Sequence, residues 1–438
     1  MSGLELHDIQ GGVLHPLPIP YAGTVDLFRI DDPQAGRAWL RRLIPLLRNA
    51  LDPTDADADV WLSVSFTVGG LRALGVPSTS IDSFAPEFRE GMRARSAILH
   101  DTGESAPENW EEPLGSSDIH VALSAMAPDT RRRDELVARE ERITADTPGV
   151  TLVYRQDSRS SNGREAFGYA DNISQPPVEG SGLPNTNPAE KPLAAGEFIL
   201  GYPTESGRLE PVPQPEELGR NGTYLVLRKL QQRVPQFRRY LHDNTTDAAD
   251  EELLAAKIMG RWRSGAPLEL APDLDDPVLG ADPTRNNAFG YRAEDARGFD
   301  CPLGSHIRRM NPRDGQIFGD PRSHRIIRRE ASYGPPLPEG LVDDGADRGM
   351  MFGCIGSSLR RQFEFVQEEW INSGIFIGHN GERDPLLGAN AGHGTFTIPE
   401  RPIRRRLSDI PTFVVTRGGD YFFMPSLTAL RWITELAI

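Results

Sequence analysis

The sequence predicts an α+β protein made of two halves. Three observations predict it. β-Branched runs alternate with a charged helical stretch in a β-α-β-β-α-β manner over roughly the first 155 residues, as in a ferredoxin-like unit. A second set of strands and helices begins near residue 222. A stretch rich in Gly, Ser, Asn and Pro separates the two sets. The length of 438 residues suits two or three domains at roughly 150 residues each. The boundary is placed at 195/196, giving halves 1–195 and 196–438.

The elements follow in order. Residues 59–68 (DVWLSVSFTV) alternate and are β-branched, which predicts a strand closed by Gly69-Gly70. A short helix starts at Leu71 and is limited by Pro77. Residues 119–125 read as a second strand and 150–155 as a third. Between them, 130–146 lacks Gly and Pro and carries Leu136, Val137 and Ile143 at helical spacing. Residues 158–187 form a loop long enough to have a function. Strands are predicted at 222–230, 349–357, 412–416 and 421–424. Helices are predicted at 233–242, 248–262, 363–373 and 426–436, and 267–300 is an acidic loop.

Composition narrows the function classes. With 48 basic and 63 acidic residues the net charge is −15, which argues against non-specific binding to nucleic acid. Two cysteines, Cys301 and Cys354, are too few for a disulfide scaffold, a four-cysteine zinc site or a cysteine-ligated iron–sulfur cluster. No apolar run approaches the roughly 18 residues of a membrane span. The first eight residues carry Glu5 and Asp8 and no basic-then-apolar leader, so a cytoplasmic location is expected; a chain trimmed of its export signal would look the same.

Three segments could carry chemistry. None of the nine histidines forms a zinc-type pair, but a haem needs only one axial histidine. His306 lies in Cys301-Pro-Leu-Gly-Ser-His306-Ile-Arg-Arg-Met-Asn-Pro-Arg313, with three arginines in the next seven positions. Arginines suit carboxylates such as haem propionates; an exposed basic turn with a stray histidine has the same spacing. Ala166-Phe-Gly-Tyr-Ala-Asp171-Asn-Ile-Ser-Gln-Pro-Pro177 offers a carboxylate that could transfer a proton or merely form a turn. In His324-Arg325-Ile-Ile-Arg328-Arg329-Glu330, strand geometry sends Arg328 and Arg329 to opposite faces.

In this order, the three segments resemble the dye-decolorizing peroxidase family. Further matching segments are Asp8-Ile-Gln-Gly-Gly-Val-Leu14, Asn221 to Lys229, Lys257 to Trp262, Arg348-Gly-Met-Met-Phe352 and Gly418 to Pro425, so the resemblance spans nearly the whole chain. The length and extra loops look like the larger members. The family loop is usually Gly-x-x-Asp-Gly, whereas here Asn172 follows Asp171. Asparagine is the non-glycine residue that best tolerates left-handed backbone angles, so the turn can survive.

The resemblance implies two ferredoxin-like halves with antiparallel sheets, and haem b bound between the sheet and helices of the C-terminal half. It implies His306 as proximal iron ligand, Asp171 and Arg328 on the distal face, and Arg313 as a propionate partner. Met350 and Phe352 match positions that shape the distal pocket, and Asp384 is a candidate to hold the other His306 nitrogen. The implied activity is reduction of hydrogen peroxide with one-electron oxidation of phenolic, dye-like or other aromatic donors. Tyr333, Trp370, Tyr421 and Trp432 are available to relay electrons from large donors, although buried aromatics mostly serve packing. Two other functions share these residues: a haem carrier with little turnover, and a non-haem enzyme in which His306 is structural. Oligomeric state and the physiological donor are not legible.

Overall fold

The computed structural model describes residues 3–51, 59–187, 189–317, 319–340 and 342–436. The first half runs β1 (Tyr21–Ile30), α1 (Pro33–Leu43), β2 (Trp61–Phe66), β3 (Val121–Ala127), α2 (Thr130–Ala145) and β4 (Val150–Ser160). Its strands lie in the order β4-β1-β3-β2 with every neighbour antiparallel, the ferredoxin-like arrangement.

The second half begins with β5 (Thr223–Gln232), α3 (Val234–Asp243), α4 (Ala248–Met259) and the short α5 (His306–Met310). It continues with β6 (Ile327–Arg328), β7 (Ala331–Tyr333) and β8 (Gly349–Gly356). A π-helical stretch, Arg360–Glu364 and Val366–Ile371, leads to the hairpin β9 (Gly394–Ile398) and β10 (Arg405–Ile410). Strand β11 (Val414–Met424) and helix α6 (Leu427–Thr434) complete it. Counting β6 and β7 as one interrupted strand, the order β11-β5-β8-β6 repeats that of the first half. Phe66 of β2 pairs with Phe423 of β11, so the halves share one nine-stranded sheet. Position 195/196 falls in the connection between β4 and β5.

Several elements differ from the sequence reading. β1 and α1 had not been expected. β1 is buried at nearly every position, including Asp26, so it shows no alternation, and Pro20 precedes it. α1 carried a legible start: Asp32 caps the Ala35 N–H at 2.7 Å and Pro33 takes the first helical position. α4 stops at Met259 because Gly260 turns left-handed at φ 94°. The two strands expected at 412–416 and 421–424 are one, β11, with a bulge between Thr416 and Gly418. The hairpin β9–β10 was also unread.

Buried aromatic and aliphatic side chains of both halves form the core, among them Phe28, Trp39, Phe66, Tyr224, Phe423 and Leu430. Each fully buried large side chain contributes roughly 1.5–3 kcal/mol. The chain ends are tied together here. The Asp8 carbonyl and carboxylate accept the N–H groups of Leu427 and Thr428 at 2.9 and 2.7 Å, and Gln10 spans to the Val64 and Pro425 carbonyls. No helix among the described residues is long and apolar enough to cross a membrane.

Candidate active site

The loop carrying Asp171 is held from beneath by Glu165, whose carboxylate accepts the N–H groups of Phe167 and Tyr169 at 2.9 and 2.8 Å. Asn172 adopts φ 62°, the left-handed angle its residue type tolerates, and its N–H donates to Asp171 Oδ1 at 2.6 Å. The Asn172 side chain accepts from Gln175, and Gln175 accepts the Arg328 N–H at 3.0 Å, which ties the loop to β6. Arg328 Nη2 donates to the Ile173 carbonyl at 2.6 Å, and Nη1 stands 3.9 Å from Asp171 Oδ1 and 3.1 Å from Glu330 Oε1. Burial opposes the Arg328 charge, but Glu330 and Asp171 more than restore it, so it stays cationic. Arg329 points the other way, to the Gly12 and Val13 carbonyls.

His306 opens α5. Its Nδ1 lies 2.9 Å from Asp384 Oδ2, while Asp384 Oδ1 accepts the N–H groups of Leu386 and Leu387 at 2.8 and 2.9 Å. Burial alone would raise the Asp384 carboxyl, but His306, Arg309 and the Leu387 N–H together hold it below the usual carboxylate range. An ionised Asp384 accepts the Nδ1 proton and leaves Nε2 free for a metal.

The three arginines after His306 divide their work. Arg308 pairs with Asp295 at 2.9 Å, and fully buried Arg309 donates to the carbonyls of Gly304, Trp370, Ser373 and Glu382. Both are structural. Arg313 alone of the three lines the cavity, where its Nη1 meets the Asn287 and Phe289 carbonyls at 3.0 Å each. Beside it is Arg261, whose donors meet the Gly265 and Asn286 carbonyls and Asn287 Oδ1. Burial, then the charge of Arg313, lowers Arg261 to about 9. Neither cation has a carboxylate partner among the described residues, so this end of the cavity favours an acidic ligand.

All six expected site residues, Asp171, His306, Arg313, Arg328, Met350 and Phe352, line one cavity of about 630 Å³. That volume is in the range of cofactor pockets. The cavity lies between one face of β5, β8 and β6 and the cover formed by α5, the π-helical stretch and the 386–389 turn. Met350 and Phe352 share a face of β8, as alternate strand residues must. Among the described residues no group of three or more His, Cys, Asp or Glu could hold a bare metal ion. A haem fits what is present: one histidine nitrogen, an apolar slot, and two arginines for its propionates, Arg261 buried and Arg313 half-buried. Sequence reasoning missed Arg261 and Glu330 as site residues, although both lay inside quoted segments.

Of the four aromatic relay candidates, Tyr333, Trp370 and Tyr421 are buried, and Trp432 of α6 is half-buried against the core.

No family model matches the chain. Characterised relatives do. Peroxidase 2 of Mycetinis scorodonius is 33% identical over 98% of this chain and 87% of that protein. The dye-decolorizing peroxidase msp1 of the same organism is 31% identical over 99% of this chain and 88% of that protein. Among solved structures, an ancestral D-type dye-decolorizing peroxidase superposes with a TM-score of 0.85 at 31% identity, over 98% of this chain and 99% of that one. A dye-decolorizing peroxidase from Auricularia auricula-judae gives a TM-score of 0.85 at 27% identity, over 98% of this chain and 100% of that one. Likeness of this extent, in sequence and in backbone, places the chain in the dye-decolorizing peroxidase family, as an oxidoreductase that uses peroxide as its acceptor.

Proposed function

We propose that the chain is a haem b peroxidase that reduces hydrogen peroxide and oxidises aromatic donors one electron at a time. One observation carries the reading: a single cavity holds His306 backed by Asp384, the Asp171–Arg328 pair, and the carboxylate-free cations Arg261 and Arg313. His306 Nε2 would ligate the iron, and Arg313 with Arg261 would receive the propionates. Met350 and Phe352 would shape the space beside the iron. When bound, the haem supplies the two-electron reduction of peroxide and takes those electrons back singly from donors.

The protein supplies the proton traffic. Asp171, ionised, takes the proton from the inner peroxide oxygen and returns it to the outer one, which leaves as water. Arg328 stands over the same space and stabilises the negative charge that develops on that departing oxygen. A phenolic donor is supported by a family structure in complex with 2,6-dimethoxyphenol.

The test is stopped-flow absorbance of haem-loaded protein mixed with peroxide. The wild-type Soret band should change rapidly, and Asp171→Ala should slow the change by about 10²–10⁴-fold. Arg328→Leu should slow it too. A Soret band that peroxide leaves unchanged in the wild type would favour haem carriage instead.

A further inference from the structure

Beside Asp171 and Arg328 the cavity wall holds a carboxyl, Glu330, that this chemistry leaves unused. Glu330 is 5% exposed, and neither of its oxygens meets a donor in hydrogen-bonding geometry among the described residues. The Arg328 guanidinium stands 3.1 Å from Glu330 and 3.9 Å from Asp171, so one cation serves two carboxyls. These three side chains also wall a small void behind the main cavity, bounded by Leu17, Tyr21 and Arg164.

Charge decides how the trio is protonated. Two carboxylates and one cation leave a buried net charge of −1; one proton brings the trio to neutrality. Asp171 accepts the Asn172 N–H at 2.6 Å, whereas neither Glu330 oxygen is held by a donor in hydrogen-bonding geometry among the described residues. The proton therefore belongs on Glu330. Of the surroundings, Tyr21 of β1 and Cys354 of β8 are uncharged and Arg164 is turned to the Gly168 and Arg263 carbonyls; Arg329, whose donors go to the Gly12 and Val13 carbonyls, is among the described residues the one cation besides Arg328 that faces Glu330. Burial is the main force raising the Glu330 carboxyl, opposed by Arg328 and reinforced by Asp171.

We propose that Glu330 is the neutral, proton-holding partner of Asp171, and that losing this proton diverts Arg328 from the departing peroxide oxygen. Glu330 is then a positioning residue acting through Arg328, and it sets the alkaline limit of the reaction. The protonation itself stands on the cavity geometry; only its effect on rate rests on the peroxidase reading.

Two measurements test it. Infrared difference spectra of the full chain between neutral and alkaline pH should show loss of a protonated-carboxyl band in the wild type. That component should be missing from Glu330→Gln and from Glu330→Leu, the second variant serving if the first does not fold. In the haem-loaded enzyme, the alkaline limb of the peroxide rate should move up by about one pH unit or more in Glu330→Gln. Variant spectra identical to wild type, or superimposable alkaline limbs, would overturn the proposal. A wild type that binds haem and ignores peroxide would overturn the peroxidase reading, and the infrared comparison would still decide Glu330.

Discussion

Asp384 makes His306 directional, because a buried carboxylate held by two backbone N–H groups fixes which ring nitrogen faces the cavity. Asp384→Ala should weaken haem binding about 10–100-fold, read by titrating haem into the chain. The arginines predict a sharper contrast. Arg313→Leu should lower haem affinity, because it removes one of the cations with no carboxylate partner. Arg309→Leu should instead lower the thermal midpoint before haem is added, since it removes hydrogen bonds to four backbone carbonyls, worth about 0.5–1.5 kcal/mol each. Equal effects of the two substitutions on haem affinity would contradict this division.

At the scale of elements, the Asp171 loop is the informative case. Its turn needs a left-handed residue after the aspartate, and Asn172 supplies one at φ 62°. Asn172→Gly should therefore fold at least as stably, while Asn172→Val should cost about 1–2 kcal/mol in chemical denaturation. The bulge in β11 teaches a related lesson. Gly418-Gly419 reads locally as a break, yet Gly418 at φ 133° continues the strand through a bulge, and a side chain on Gly419 would strike the Leu227 carbonyl at 2.2 Å.

Across the whole molecule, buried carboxyls set the response to pH. Glu140 is 3% exposed, and burial raises it to about 7 despite its bond from Thr144. A carboxyl whose folded pKa is raised stabilises fully below its ordinary value of 4.5, and that contribution is lost as pH rises through about 7. The net charge of −15 adds self-repulsion in the same direction. The thermal midpoint should fall between about pH 5 and pH 8, and Glu140→Gln should shrink that fall. An equal fall in the variant would mean that Glu140 does not titrate there.

The amino-acid sequence by itself determined what acts over a few residues. The helix α2, free of breakers, the turn-forming Asp171-Asn172 pair and the opposed faces of Arg328 and Arg329 were legible because periodicity, turn residues and strand alternation are local. So were His306 and the segment around it, through their resemblance to the family. Only the tertiary structure decided which groups meet. Asp384 reaches His306 across 78 positions, and Gln175 reaches Arg328 across 153. Of three neighbouring arginines, Arg313 lines the cavity, while the Asp295 carboxylate holds Arg308 and four backbone carbonyls hold Arg309. Arg261 and Glu330 entered the site, and β1 entered the sheet, for the same reason: burial and charge there are set by what folds against them.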